Sequence, residues 1–323
     1  MAKPISRTMK TGAALLLAIP LSPASGFAET LFPAPTFVTL KESDQVARYP
    51  DQQIWEGGPK MLYNAITPDG KTLVATSPTQ GRLYVFDVPT GKQMGSLQCR
   101  EAAKGVKISP DGREAYVANE GDASISVVDL SVLKVVATIP VREMPHNVRF
   151  TADGKRAYVT LQGGAGLGVI DTESRRMIHV IPTPGIETPH NLDLSQDESR
   201  AFIRDTSGKV GVLDVKQEKI LKVIEVGQGH AGIDVTPDGK YAITGAIADE
   251  VVTVIDTETL EVVKTIKVGF GPHGVRASKD NRWTYVAITA DDQVTVIDNQ
   301  SWQVAKTFDV ASFPFWVALQ GNP

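Results

Sequence analysis

The segment SPDGREAYVAN at residues 109–119, followed by SISVVD at residues 124–129, contains the pattern from which the fold is predicted. Asp111-Gly112 is a tight-turn signal, because glycine tolerates the positive φ that such turns require. The flanking residues are branched and aromatic, as a packed β-surface prefers. The stretch therefore predicts two strands joined by a hairpin and a third strand that ends at Asp129.

The same pattern recurs along the chain at a constant spacing. The turn residues are separated by 42, 42, 44, 41 and 42 positions, at Asp69, Asp111, Asp153, Asp197, Asp238 and Asp280. The strand-ending aspartates are separated by 42, 42, 43, 42 and 42 positions, at Asp87, Asp129, Asp171, Asp214, Asp256 and Asp298. Two independent markers with one period predict a repeat protein.

Each repeat contains four short β-rich runs, which in the second repeat are Gly105–Ile108, Ala115–Ala118, Ser124–Val128 and Val135–Ile139. Four strands per unit of about 42 residues are typical of a propeller blade. A seventh inner strand at Phe315–Leu319 has no partner strands after it, whereas three N-terminal strands lack an inner strand before them: Thr36–Leu40, Gln45–Tyr49 and Gln53–Trp55. We predict an all-β, seven-bladed β-propeller, with six contiguous blades and one composite blade that joins the termini.

Composition excludes several classes of protein. The chain of 323 residues is 42% hydrophobic and 22% charged, which indicates an ordinary folded protein. The single cysteine, Cys99, excludes an internal disulfide framework and a cysteine-rich zinc site. With 33 basic and 37 acidic residues, a general nucleic-acid-binding surface is not expected.

The first 28 residues have the features of a secretory signal peptide. Lys3, Arg7 and Lys10 precede a short apolar run, Ala13–Leu21, and small residues precede a cleavage point after Ala28. We therefore predict a signal peptide at residues 1–28, a single propeller domain at residues 29–323, and a periplasmic location in a Gram-negative cell. No later segment is apolar enough to span a membrane, and we expect a monomer.

The pattern Ser-Pro-Asp-Gly-x-x-x-Tyr-Val-x-Asn at Ser109–Asn119, with the Val-Ile-Asp strands, resembles the YVTN-repeat family. The resemblance extends over the chain after residue 28 and includes the YncE-like exported propellers. It implies a seven-bladed propeller that serves as a binding or scaffold protein. Related propellers carry haem d1 or copper, or act as enzymes, and the repeat motif alone does not choose between these functions.

Four of the five histidines occur in register, each just before an inner strand: His146, His190, His230 and His273. Because inner strands line the central channel of a propeller, we expect these side chains to converge at one mouth. Neutral imidazoles ligate copper, zinc or iron. The other three histidines lie seven residues before the turn aspartate of their repeat, whereas His230 lies eight residues and Lys60 nine residues before theirs. Whether His230 and Lys60 belong to the ring of side chains at this mouth therefore stays open.

Further residues at the same register are candidate contacts for a cofactor: Lys104, Arg142, Glu143, Glu187 and Trp316. Glu101, Glu143 and Glu187 each precede a ring position by three residues and are predicted to orient the imidazoles. Trp316 offers a ring for stacking on a planar ligand. Cys99 is a soft metal ligand by residue type, but a packed thiol is the stronger interpretation.

Three functional hypotheses follow. In the first, the protein binds a small ligand or a periplasmic partner at its funnel and has no chemistry of its own, since no complete catalytic constellation is visible. In the second, the histidines hold copper, zinc or haem in a redox-related protein. In the third, the protein is a propeller-type lyase or lactonase with a histidine base. The sequence assigns no catalytic residue and does not identify the ligand.

Overall fold

Aspartate side chains close the hairpins of the repeat. At each repeat turn the carboxylate accepts a hydrogen bond from a hydroxyl two residues earlier, as Asp111 does from Ser109 at 2.6 Å. Gly112 then adopts a φ of +76°. The strand-ending Asp129 accepts the N–H groups of Ser131 and Val132 and closes the next turn. The predicted turn role of both sets of aspartates is confirmed.

A computed structural model describes residues 31–164 and 166–321, which form seven four-stranded antiparallel sheets. The chain starts with three strands of blade seven: β1 (Thr36–Leu40), β2 (Gln45–Tyr49) and β3 (Gln53–Glu56). Blade one contains β4 (Asn64–Ile66), β5 (Thr72–Ser77), β6 (Arg82–Asp87) and β7 (Gln93–Gln98). Blade two contains β8 (Ala103–Ile108), β9 (Glu114–Asn119), β10 (Ser124–Asp129) and β11 (Lys134–Pro140), with a 3-10 helix, Glu120–Asp122, between β9 and β10.

The remaining blades repeat this order. Blade three contains β12 (Pro145–Phe150), β13 (Arg156–Leu161), β14 (Gly166–Asp171) and β15 (Arg176–Pro182), and blade four contains β16 (Pro189–Leu194), β17 (Arg200–Asp205), β18 (Lys209–Asp214) and β19 (Lys219–Glu225). Blade five contains β20 (Ile233–Val235), β21 (Tyr241–Thr244), β22 (Val251–Asp256) and β23 (Val262–Lys267). Blade six contains β24 (Pro272–Ala277), β25 (Trp283–Ile288), β26 (Gln293–Asp298) and β27 (Gln303–Asp309), and β28 (Pro314–Leu319) ends the described chain.

The seven sheets close into a ring. Each inner strand contacts the inner strand of the next blade, and β28 contacts β4. β28 pairs with β1, with Val317 opposite Val38, so the composite blade joins the two ends of the described chain as predicted. The all-β, seven-bladed propeller is confirmed, and the inner strands surround a central channel.

Apolar side chains of neighbouring blades form the core. Between blades two and three, Tyr116 packs on Phe150 with ring centroids 4.8 Å apart, and Val148 and Val159 belong to the same buried cluster. The fourth strand of a blade is largely exposed, as β11 illustrates. The predicted signal peptide at residues 1–28 lies outside the described residues, and within 31–164 and 166–321 no helix has the length and apolar character needed to cross a membrane.

Candidate metal centre

Four histidines from four consecutive blades meet at one mouth of the channel. Ring centroids of His146 and His190 lie 3.8 Å apart, those of His190 and His230 4.5 Å apart, and those of His230 and His273 5.2 Å apart. We call these four residues the histidine cluster. The predicted convergence of the four side chains is therefore present in the structure.

Local sequence explains how three of these imidazoles are placed. Each follows a proline that is the first residue of an inner strand: Pro145 of β12, Pro189 of β16 and Pro272 of β24. Proline at a strand start needs no ladder hydrogen bond for its missing N–H. His230 arrives differently, because β20 begins only at Ile233 and His230 lies in the preceding loop. Lys60 pairs with Glu42 instead.

A cavity of about 320 Å³ opens beside the cluster. Its walls combine imidazoles with two cationic and several neutral polar or aromatic side chains: Lys41, Leu62, Tyr63, Lys104, His146, Gln162, His190, Thr206, His230 and Phe315. This volume lies at the small end of the range for ligand pockets, which begins at about 300 Å³. The site therefore has room for a metal ion together with a small ligand.

His146 uses both ring nitrogens within the protein. Its Nδ1 lies 2.7 Å from Oε2 of Glu120, and its Nε2 lies 2.7 Å from the hydroxyl of Tyr63. Since a carboxylate accepts, Nδ1–H donates to Glu120 and Nε2 accepts from the phenol. Lys104 Nζ lies 2.8 Å from the other oxygen of Glu120. A chain of contacts thus runs from the buried phenol to a partly exposed lysine.

His273 has one nitrogen occupied and one free of hydrogen bonds. Its Nδ1 lies 3.1 Å from the carbonyl oxygen of Phe315, which only accepts, so the neutral imidazole carries its proton on Nδ1. Its Nε2 keeps a lone pair and has no hydrogen-bond partner among the described residues, although the side chain is fully buried. Metal-ligating histidines commonly donate their second nitrogen to a backbone carbonyl in this way.

His190 shows the same arrangement with a side chain in place of the carbonyl. The amide nitrogen of Gln162 lies 2.5 Å from Nδ1 of His190, and Nε2 of His190 is buried without a hydrogen-bond partner in the described chain. The nitrogen and oxygen of the amide can exchange places by a flip of the Gln162 side chain. When the oxygen faces Nδ1, Nδ1–H donates to it and Nε2 keeps its lone pair. One nitrogen each of His190, His230 and His273 lies within 4.8 Å of the other two, a spacing suited to a shared metal ion.

Burial and mutual repulsion keep these imidazoles neutral. Burial first, and then the neighbouring histidines, hold the pKa values of His190 and His273 well below the usual range for histidine. The same causes, with the charge of Arg204, lower the pKa of His230 to about 4. Burial also lowers the pKa of His146, against the opposing hydrogen bond of Glu120, so this contact is a hydrogen bond to neutral imidazole. Neutral imidazole is the form that binds metals.

Glu120 remains ionised beside His146. Burial alone would raise the pKa of this carboxyl, but hydrogen bonds and charges from His146 and Lys104 lower it to about 2. Because His146 is neutral above its own lowered pKa, Lys104 supplies the compensating charge at neutral pH. The side chains of Lys104 and Glu120 are only partly exposed, 28% and 15%, so this pair is shielded from solvent.

A charged layer lies further along the inner strands. Four of its residues follow Lys104 or a histidine of the cluster by three positions, about 10 Å of strand, and Asp234 follows His230 by four. The layer consists of Lys107, Arg149, Asp193, Asp234 and Arg276. Arg149 Nε lies 2.6 Å from Asp193, and Arg276 Nη1 lies 3.0 Å from Asp234. The guanidinium of Arg276 also stacks 5.0 Å from the ring of Trp316.

The predicted cofactor contacts fall in three different places. Lys104 lines the cavity. Trp316 is buried beside the cluster, with its ring centroid 5.7 Å from that of His273 and 4.6 Å from that of Tyr63. Arg142, Glu143 and Glu187 are exposed, and the carboxylate that contacts His146 is Glu120.

Sequence reasoning missed Tyr63, Glu120, Gln162 and the Phe315 carbonyl. Tyr63 lies three residues after Lys60 and directly before the inner strand β4, and this position was a signal that could have been used. Glu120 and Gln162 each directly follow the second strand of a blade, at the loop above the channel. Cys99 is packed in an apolar cluster, where burial raises its thiol pKa to about 11. His179 lies on β15 and contacts Glu218.

One protein-family model matches part of the chain. The matching family model is the cytochrome D1 heme domain. It matches residues 159–271 and 196–311, a little under half of the chain. No curated protein gives a significant match. The resemblance to the YVTN-repeat family stays a prediction.

Similar solved structures share the propeller fold. Hydrazine synthase from Kuenenia stuttgartiensis has a TM-score of 0.75 and 20% identity, over 81% of this chain and 90% of that chain. A functionally unknown protein from Desulfotomaculum acetoxidans has a TM-score of 0.77 and 15% identity, over 90% and 100%. Dihydro-heme d1 dehydrogenase NirN, solved in complex with DHE, has a TM-score of 0.69 and 17% identity, over 95% and 78%.

Proposed function

We propose that this protein is an exported, periplasmic propeller that binds a transition metal at the histidine cluster and serves a redox function. The ligands are the imidazoles of His190, His230 and His273. The observation that carries the proposal is the pair of buried Nε2 atoms of His190 and His273, which have no hydrogen-bond partner in the described chain. His190 and His273 form, with His230, a trio in which one ring nitrogen of each residue lies within 4.8 Å of the other two.

These two nitrogens favour a bound ligand over a purely structural role. A buried polar atom without a partner costs about 1–3 kcal/mol, so polar lining residues are normally hydrogen-bonded. His146 shows that this fold can satisfy both nitrogens of a buried imidazole. A metal ion would use the free lone pairs of His190 and His273 and would remove the cost.

Two kinds of metal could bind these imidazole lone pairs, a bare ion and the iron of a haem. Three convergent imidazoles beside an open cavity favour a copper or zinc ion with one position left for a ligand. The cytochrome D1 heme domain match and the likeness to NirN with bound DHE favour haem. Bound haem iron or copper would supply one-electron chemistry. If the metal is the iron of a haem, His190 or His273 would bind it through Nε2.

Metal and haem content of the native protein tests the proposal. Untagged mature protein is purified from the periplasm without chelator, and its metals are measured by mass spectrometry together with a visible spectrum. Apo protein is then titrated separately with copper, zinc and haemin. We expect about one metal centre per chain. The double variant His190→Ala/His273→Ala loses it.

His179→Ala is the matched control, because His179 lies on β15 and contacts only Glu218 among the recorded hydrogen bonds of the described chain. This variant retains the wild-type metal or haem content. A wild-type protein that contains no metal or haem and takes up none of the three probes contradicts the proposal. Uptake that is equal in the double variant and in the wild type contradicts it as well. Either result favours a binding or scaffold role for the funnel.

A further inference from the structure

Arg204, in β17 of blade four, is a fully buried arginine directed at the loop that carries His230. Its Nη2 donates to the carbonyl oxygens of Gly227 at 2.6 Å and Gly229 at 2.7 Å. The same nitrogen lies 3.4 Å from the carbonyl of Gly245, and Nη1 lies 3.2 Å from that of Lys209. The carboxylate of Asp205, 3.6 Å from Nη1, balances the buried charge.

In two other blades the equivalent strand position also connects one blade to the next. In blade seven the hydroxyl of Thr39 donates to the carbonyl of Leu62. In blade three the hydroxyl of Thr160 donates to the carbonyl of His190 at 2.8 Å. In both blades this hydroxyl holds the segment that enters the next inner strand, and we call such a side chain a hook. In blade four Arg204 occupies the hook position.

The segment that enters blade five needs a side chain with a longer reach in the hook position. His230 lies eight residues before Asp238, whereas His190 lies seven before Asp197, so the segment contains one extra residue. β20 starts three residues after His230, and the carbonyls of Gly227 and Gly229 lie outside the strand ladder. Gly227 and Gly229 are half-buried, and carbonyls shielded from water need donors, of which a guanidinium supplies several in a planar fork. A threonine hydroxyl supplies one.

Local contacts transmit this placement to the imidazole. Gly229 adopts a φ of +82° directly before His230. The carbonyl of His230 accepts the N–H of Ile247 at 3.0 Å, and that of Gln228 accepts the N–H of Ala248. The loop is thus held on one side by Arg204 and on the other by the residues that follow β21.

We propose that Arg204 is a positioning residue for the metal centre: it fixes Gly227 and Gly229 so that the imidazole of His230 joins those of His190 and His273. This inference rests on the proposed function. Arg204 itself binds no metal, and its effect on metal affinity passes through His230.

The first measurement uses the metal-free protein. In wild-type protein with labelled histidine, we expect a nuclear Overhauser contact between the rings of His190 and His230, whose centroids lie 4.5 Å apart. In Arg204→Met this contact is lost, whereas the contact between His146 and His190 is retained. Thr39→Val is the matched control, because it removes the same kind of hook from a segment that carries no histidine. It keeps both contacts.

The second measurement is a double-mutant cycle on copper affinity. We expect Arg204→Met to weaken copper binding about 10- to 100-fold, the usual effect of losing a residue that supports a metal ligand. In the His230→Ala background the same substitution changes the affinity by less than about twofold, because the residue it positions is absent. Arg204→Lys binds copper more tightly than Arg204→Met, since the lysine ammonium nitrogen can still donate to a loop carbonyl.

Retention of the His190–His230 contact in folded Arg204→Met overturns the inference, and so does an additive loss of affinity in the cycle. If Arg204→Met does not fold, Gly229→Ala replaces it, because its Cβ would lie 2.9 Å from the Ala248 nitrogen and displace the same loop. Gly229→Ala that keeps the contact also overturns it. A wild-type protein without metal affinity refutes the proposed function, while the ring contact still decides the role of Arg204.

Discussion

His146 and His273 begin from the same motif and end with different chemistry. Each follows a proline that opens an inner strand, and each is buried in the same cluster. His146 exchanges hydrogen bonds through both nitrogens, with Glu120 and Tyr63. His273 uses only Nδ1, on the carbonyl of Phe315, and keeps Nε2 free of hydrogen bonds in the described chain.

This difference shows what the repeated motif determines and what residues from other elements determine. The repeated motif places both imidazoles at the same depth and at the same mouth of the channel. Residues from other elements then determined which lone pairs are used: Tyr63 from blade one and Glu120 from the loop after β9 satisfy His146. Function therefore depends on contacts across blades, which differ from one repeat to the next.

The largest expected effect is on metal affinity when one member of this pair is removed. We expect His273→Ala to weaken copper binding about 100-fold or more, because each ligand contributes a large share of the binding free energy. His146→Ala changes it about 10-fold at most, as for a residue outside the ligand set. Competition titration with a chelator of known affinity measures both. Equal losses in the two variants would remove the distinction between them.

The next effect is on stability in acid. The cluster is neutral when folded, with pKa values below the usual 6.5, so the unfolded chain binds more protons below that pH. We expect the free energy of unfolding of metal-free protein to fall below pH 6.5 by up to about 1.4 kcal/mol per pH unit for each such histidine. Urea titrations at pH 7, 6 and 5 measure this decrease.

His230→Gln removes the contribution of one histidine from this pH dependence. Glu120 does not interfere. Its folded pKa of about 2 lies below the usual 4.5, so its stabilising contribution is complete above pH 4.5 and is lost only between pH 4.5 and 2. Stability that is constant between pH 7 and 5 would show that the histidines are not held neutral.

A smaller effect comes from making His146 resemble His273. Tyr63→Phe removes the hydroxyl that donates to Nε2 of His146, and we expect a loss of about 1–2 kcal/mol of stability. Copper affinity is retained or increases, because a fourth lone pair becomes free. Tyr116→Phe is the control, since the buried Tyr116 hydroxyl has no hydrogen-bond partner within the described chain. A greater loss in Tyr116→Phe than in Tyr63→Phe would contradict this interpretation.

The smallest expected effect concerns the hydrogen bond from Thr160 to the carbonyl of His190. Thr160→Val removes the hydroxyl that donates to the His190 carbonyl and accepts the N–H of Asn147. We expect a loss of about 1 kcal/mol, which for a chain of this size lowers Tm by about 1–2 °C. Differential scanning calorimetry measures it. An unchanged Tm would show that this hook does not hold the strand entry.

The fold could be predicted from the sequence because the repeat turns are local. Asp-Gly turns and strand-ending aspartates act within a few residues, and their period counted the blades. The convergence of the histidines followed from register alone. Blade five was harder to predict, because the extra residue before Asp238 is compensated by Arg204, which lies in another blade.

The chemistry of the site depended on contacts that register does not show. Glu143 and Glu187 have the spacing expected for residues that orient imidazoles, yet both are exposed. Glu120 takes this part for His146 from a 3-10 helix that interrupts the repeat pattern. The tautomer of His273 depends on a backbone carbonyl, which no side-chain pattern reveals.

X-ray absorption at the metal edge of the metal-bound wild-type protein shows whether histidine nitrogens bind the metal. We expect a first shell that contains imidazole nitrogen at about 2.0–2.1 Å, with the outer-shell scattering of the rings, and its loss in His190→Ala/His273→Ala. A first shell of oxygen alone would refute a metal bound by these histidines, as would imidazole scattering that persists in the double variant.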